Sequence, residues 1–201
     1  MYGMKNQRGF TLIELITVVV LMGVFLSIAI PNMSTMIKDN RLTAQANTLL
    51  SAMIYGRSEA IKRNVDVVVC ASSDQKTCAQ TFIAWTNGWI VYYTPSANYS
   101  APGSSTNPVP APTTTEIIRK YPALGGNNSI LGTTVQGMVV FQPNGLALEL
   151  NPADHWFSVC DSRGINYAKI LMLTSTGRAE IISPSNGSIT WGSSTVSVAC
   201  Q

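Results

Sequence analysis

The run from Phe10 to Ile30, FTLIELITVVVLMGVFLSIAI, carries a single charge, Glu14. So apolar a stretch can satisfy its backbone in lipid as a helix, because every peptide group is then bonded within the segment. At 1.5 Å per residue it reaches about 30 Å, the thickness of a hydrocarbon core. Lys5 and Arg8 precede it and no acidic residue does. That asymmetry places the N-terminus on the cytoplasmic side and the remainder of the chain across the membrane. A secretory signal would have a shorter apolar core followed by a small-x-small cleavage site. Here Pro31-Asn32-Met33-Ser34 follows instead, so the run is expected to stay in the mature protein. An unpaired acid at the centre of a bilayer costs roughly 2.5–3.5 kcal/mol, and intramembrane acids mark function by default. Glu14 is therefore the first candidate functional residue.

Composition excludes more than it assigns. Charged residues make up 11 % of the chain, against about 25 % in ordinary soluble domains. The net charge of +3 is no global signature for nucleic acid, and it falls further if Lys5 and Arg8 are removed. Ser, Thr, Asn and Gly fill the surface, which suits an extracellular protein. Cys70, Cys78, Cys160 and Cys200 are even in number and far from any Cys-x-x-Cys spacing. On the far side of a membrane they read as a disulfide framework, with three connectivities open. His155 is the sole histidine, so a zinc site has little to build on. No Gly-x-Ser-x-Gly, phosphate-cradling loop or metal spacing is present, and the acids are scattered singly. The reading is of a non-enzyme with no cofactor and no metal.

Helix signals continue past Pro31. Met33, Met36, Ile37, Ala44, Leu49, Leu50, Met53, Ile54, Ala60 and Ile61 keep spacings of three and four. Lys38, Arg41, Arg57, Lys62 and Arg63 occupy the opposite face. An amphipathic helix of this kind is expected to lay its apolar stripe on a sheet. Beyond Asn64 the pattern changes to short apolar runs. Strands are expected at 65–70, 89–94, 116–121, 138–142, 146–150, 156–160, 168–173, 178–182 and 195–200. Turns at Asn87-Gly88, Pro143-Asn144-Gly145, 174–177 and 183–187 separate them, and VVFQPNGLALEL and ILMLTSTGRAEII read as hairpins. Residues 97–115, rich in Pro, Ser and Thr, read as a mobile surface loop.

The N-terminal motif RGFTLIEL, Arg8 to Leu15, resembles the class III signal of type IV pilins and type II secretion pseudopilins. Basic leader, glycine, phenylalanine, glutamate and apolar run all occur in register over about the first 31 residues. The resemblance implies that a prepilin peptidase cuts after Gly9 and methylates Phe10, and that Glu14 is fifth in the mature chain. The new amine of one subunit could then meet Glu14 of a neighbour in a filament. In a low dielectric such pairing would favour assembly and set register. In assembled pili of the family this part of the helix melts, and Gly23 and Pro31 are the expected weak points. Glycine costs about 1 kcal/mol and proline about 3 against alanine in a helix.

The head resembles a narrower group. VVVCASSDQKTC with WTNGWIVYY, and FSVCDSRG with AKILMLTSTGRAEI and a terminal cysteine, are similar to the minor pilins FimT and FimU and the secretion pseudopilin GspH. The resemblance implies the pairs Cys70–Cys78 and Cys160–Cys200. It also places a Gly-Arg-x-Arg motif, through which some members bind DNA, on Gly177, Arg178, Ala179 and Glu180. The second arginine is a glutamate here, which replaces attraction to phosphate with repulsion. Lys169, Arg163 and Arg178 would form the remaining basic patch, interleaved with Asp161 and Glu180.

The expected fold is α+β: a long N-terminal helix, half membrane and half amphipathic, packed on a mostly antiparallel β-rich head. The expected organisation is a leader at 1–9, a helix at 10–64 with its membrane span at 10–30, and a head at 65–201. The expected function is a low-copy minor pilin at or near the pilus tip that helps begin assembly. Its partners would be the prepilin peptidase, the inner membrane, and the major and other minor pilins. The location passes from inner membrane to pilus. The alternatives are a type II secretion pseudopilin and a DNA-binding minor pilin.

Overall fold

The computed structural model describes residues 9–79, 82–95, 109–132, 137–148, 156–185, 187–191, 194–197 and 200. His155 and positions 97–108 of the Pro/Ser/Thr-rich stretch lie outside these. The chain divides into two compact units, Met1–Asn40 and Arg41–Gln201. Helix α1, Leu12–Arg63, runs unbroken through Gly23 and Pro31 and contributes to both.

In the first unit α1 buries none of its apolar run. Leu12, Ile13, Val19, Met22, Phe25 and Ile30 are all exposed. The helix is long and apolar enough to cross a membrane, with a mean hydropathy of 2.6 over its most apolar window.

In the second unit α1 buries Leu42, Ala46, Leu49, Met53 and Ala60, a stripe with spacings near 3.5. The small residues let the helix lie close to the sheet. The stripe is narrower than the sequence pattern suggests. Ala44, Ile54 and Ile61 are exposed, because at 100° per residue they fall beyond the line of contact. α1 ends where Asn64 adopts φ 55°, a left-handed conformation that asparagine tolerates and that closes helix C-termini.

Two antiparallel sheets and a ribbon complete the unit. Strands β1 (Asp66–Ala71), β2 (Trp89–Thr94), β3 (Ile117–Tyr121) and β5 (Met138–Phe141) form one sheet in the order β3-β2-β1-β5. Strands β4 (Ser129–Gly132), β6 (Trp156–Cys160), β7 (Lys169–Leu173) and β8 (Ala179–Ile182) form the other in the order β4-β6-β7-β8. Strands β9 (Ser188–Trp191) and β10 (Ser194–Ser197) pair as a ribbon. The fold is α+β, as the sequence pattern implied.

The main core joins α1 to one face of each sheet. Val67, Val69, Val91 and Phe141 come from the first, and Phe157, Val159 and Leu171 from the second. The opposite row of the first sheet, Val68, Ile90, Tyr92 and Val140, is buried too. Burial on both faces is why these strands read as continuous apolar runs. Val109, within the stretch expected to be a surface loop, packs on that second face. The Tyr92 hydroxyl donates to the Pro110 carbonyl at 2.9 Å, and burial pushes the phenol pKa up. An apolar sheet face needs cover, and this segment supplies part of it.

The strand expected at 146–150 does not form over its described residues. Only Ala147 bridges, to Phe141. Its N–H leaves the ladder and donates to the Ser175 carbonyl at 2.9 Å. Strands β4 and β9 were not foreseen, being four residues each with mixed polarity. Nor was the 3-10 helix Phe82–Asn87 that places Trp85 in the core.

Candidate assembly site and basic hairpin

The segment entering α1 is built for a helix start. The Glu14 N–H donates to the Thr11 hydroxyl at 3.3 Å, and the Leu15 N–H donates to the Thr11 carbonyl at 3.2 Å. Thr11-Leu12-Ile13-Glu14 has capping-box spacing, and this is its N-cap half. The Thr17 hydroxyl in turn donates to the Glu14 carbonyl at 2.9 Å. A carboxylate in the first turn also meets the positive end of the helix dipole. Glu14 thus has a local role as well as the intermolecular one the motif implies. Thr11 went unremarked in the sequence, although the Thr-x-x-Glu spacing was visible. Gly9 and Phe10 are exposed, with Phe10 85 % accessible.

Both disulfides close within the head. Cys70 at β1 joins Cys78 across a short loop, with Cα atoms 5.6 Å apart. Cys160 at the end of β6 joins Cys200 at 5.8 Å, fastening the C-terminal segment to the second sheet. The first loop is ordered by Asp74, whose carboxylate accepts from the Thr77 and Lys76 N–H groups at 2.8 Å each. Hydrogen bonds to the charged form, the Thr77 amide first, hold the Asp74 pKa well below the usual carboxylate range.

The basic residues of the second sheet do not converge. β7 and β8 form a hairpin in which Ile170 pairs with Ile182 and Leu173 with Ala179. Lys169 and Arg178 therefore lie near opposite ends of the hairpin, about 17 Å apart for five residues at roughly 3.4 Å each. Arg178 is exposed but bound by Glu180, its Nη2 lying 2.7 Å from Oε2. Arg163 is paired with Asp161 at 2.8 Å, largely buried, and lies over the Tyr167 ring. Lys169 donates to the Ser183 hydroxyl at 3.1 Å. The Gly-Arg pair has a packing explanation instead. Gly177 has φ +75°, and a Cβ there would lie 2.3 Å from the Gly145 carbonyl oxygen. That same oxygen accepts from Arg57 Nε at 2.9 Å. Arg57 thus clamps two turns, a role separated from its partner by most of the head and invisible in the sequence. Among the described residues no group of three His, Cys, Asp or Glu side chains could hold a metal ion.

The entering segment matches the prokaryotic N-terminal methylation motif over residues 4–30. The class is that of helix-anchored subunits processed by a prepilin peptidase and assembled with other pilins. Residues 45–177 match the family described as Type II transport protein GspH, and the chain belongs to that family. It is a structural family of minor pilins and pseudopilins rather than one of enzymes. Two crystal structures of the type IV minor pilin FimU from Pseudomonas aeruginosa are similar in fold. One is 20 % identical, covering 72 % of this chain and 90 % of that one, at a TM-score of 0.49. The other is 19 % identical, covering 70 % and 91 %, at 0.46. No curated protein sequence matches.

Proposed function

We propose that this subunit is a low-copy minor pilin, placed at or near the tip of a type IV pilus, that helps begin assembly. The observation that carries the reading is the exposed apolar helix with one carboxylate at its start, leading into a head of the GspH family. The peptidase hydrolyses the Gly9–Phe10 amide, leaving the leader 1–9 and a new amine on Phe10 that is then methylated. The helix at 10–64 crosses the inner membrane at 10–30 with its start on the cytoplasmic side, and the head at 65–201 follows. In lipid, Glu14 lacks a cation. In a helical bundle the Phe10 amine of a neighbour supplies one, so assembly relieves the cost of the charge. Gly23 and Pro31 are where the helix opens in the filament, since Pro31 cannot donate to the Ser27 carbonyl.

Deleting the gene should lower the number of pili while the major pilin is still made. Quantitative mass spectrometry of sheared filaments should find this subunit far below the major one. Near-equal abundance would remove the tip position. Unchanged piliation with lost protein secretion would favour the second reading, a type II secretion pseudopilin, which the description of the matched family supports. The DNA-binding reading is disfavoured by the Arg178–Glu180 pair. It predicts a duplex shift at low salt that Arg178→Ala weakens, whereas the assembly reading predicts no shift until Glu180→Arg is introduced.

A further inference from the structure

Strand β3 is the outer strand of the first sheet, bonded among the described residues to β2 alone. Arg119 lies on it opposite Val91, in the row that faces α1. Its guanidinium is 5.1 Å from the Tyr55 ring centre on α1 and 5.4 Å from that of Tyr121. Arg63, in the last turn of α1, lies 5.2 Å over the Tyr93 ring and is hydrogen-bonded to the nearly buried Glu59 at 2.5 Å. That bond raises the Arg63 pKa, burial opposing it and the Glu59 charge adding to it. Arg119 with Tyr55 and Tyr121, and Arg63 with Tyr93, lie along the rim that α1 forms with β2 and β3.

Among the described residues Arg119 is exposed and has no carboxylate partner. We propose that this rim is a docking surface for an extended acidic segment of a partner pilin, with Arg119 as the principal carboxylate receptor. Two features favour that partner. A guanidinium held against aromatic rings has its faces covered, so its in-plane N–H fork is what it presents, and a carboxylate matches that fork bidentately. The holding rings also reduce the entropy lost on binding. Among the described residues the outer edge of β3 is unpaired, and it offers a row of backbone donors and acceptors to an added strand, whose alternate side chains would point toward Arg119.

A nucleic acid strand fits less well. Among the described residues the rings are at least half-buried, each meeting an arginine and Tyr121 also stacked on Trp89, so they make a poor platform for bases, and Glu59 interrupts the run of cations. The proposal rests on assembly with other pilins and not on the tip position, so the two fail separately. Edge cations also deter unwanted strand pairing, and if that is all Arg119 does, no acidic segment will bind.

The test uses full-length protein in a mild non-ionic detergent and fluorescence anisotropy at low salt. The probes are a labelled decapeptide alternating glutamate with valine, its lysine counterpart, a glutamate peptide N-methylated on one backbone edge, and a 20-nucleotide oligodeoxythymidine. The acidic peptide should bind, and more weakly as salt rises. Arg119→Gln should lower its affinity by roughly fivefold or more. Arg119→Lys should not rescue it, since lysine keeps the charge but loses the fork. Lys76→Gln, in the Cys70–Cys78 loop, should leave it unchanged. The lysine and N-methylated peptides should bind poorly. No binding of the acidic peptide, equal binding to the Arg119→Gln variant, or tighter Arg119-dependent binding of the oligonucleotide would overturn the proposal.

Discussion

Replacing Gly177 with alanine should destabilise the head by about 2–5 kcal/mol, and the size can be built from two separate terms. An L side chain in the left-handed region costs roughly 1–2 kcal/mol. Gly177 has φ +75°, so the variant incurs this term in full. The added Cβ would also lie 2.3 Å from the Gly145 carbonyl oxygen and 2.8 Å from Arg57 Nε. Relieving an overpacked contact costs typically about 1–3 kcal/mol, and here one of the crowded atoms belongs to the backbone. Gly187 provides the control. Its φ of +74° carries the same conformational term, but the nearest atom to a Cβ there is Ile165 Cγ2 at 3.4 Å, an ordinary contact. Gly187→Ala should therefore cost only about 1–2 kcal/mol. Urea unfolding of the detergent-solubilised chain, followed by the fluorescence of buried Trp85 and Trp89, measures both. Adding Arg57→Ala to Gly177→Ala should recover little, because the Gly145 oxygen remains. If Gly177→Ala proved no more costly than Gly187→Ala, the clamp between the two turns would not be a structural determinant. The Gly-Arg pair would then need a functional explanation.

Gly9→Val should leave the precursor uncut, while Glu14→Ala should be cut normally but enter filaments poorly, as immunoblots of cells and of sheared pili would show. Full incorporation of the Glu14 variant would sink the pairing argument. Cys200→Ser paired with Cys160→Ser should cost about 4 kcal/mol, and Cys70→Ser with Cys78→Ser about 2.5, from the entropy of loops 40 and 8 residues apart in sequence. Comparable urea midpoints for the two variants would contradict the loop-length argument. Asp74 is held below its ordinary pKa, so its contribution to stability is complete above the unfolded aspartate range and is lost as pH falls through that range toward the folded value. The Thr77 amide resonance should keep its position at pH 4 and move only in stronger acid. A midpoint near 4 would show that these hydrogen bonds do not hold in solution.

Much of this molecule was legible from local chemistry. The apolar run with its lone Glu14 marks a helix long and apolar enough to cross a membrane, because transfer from water depends on composition and length. Strands such as Trp89–Thr94 and Trp156–Cys160 fall where expected because continuous apolar runs bounded by turn residues have few other uses. The β7–β8 hairpin was marked by Thr174 to Gly177, and it forms with the Arg178 N–H bonded to the Thr174 hydroxyl.

What the pattern misjudged depends on neighbours distant in sequence. Ile54 and Ile61 looked like core and are exposed, because the width of the contact stripe is decided by how closely the sheet approaches Ala46 and Ala60. Ala147 looked like strand, but Ser175 takes its N–H. Arg57 and Arg63 read as cations of the polar helix face and Arg119 went unremarked, and only packing gives the first a carbonyl to clamp and the others tyrosine rings to rest on. Lys169 and Arg178 read as one patch, and the register of a hairpin holds them apart. The sequence by itself determined the anchor, the processing motif and the class of fold, since each depends on composition or spacing within one segment. Tertiary structure alone decided which charges meet, because a charge pair is settled by distances of a few ångströms between residues that the chain places far apart.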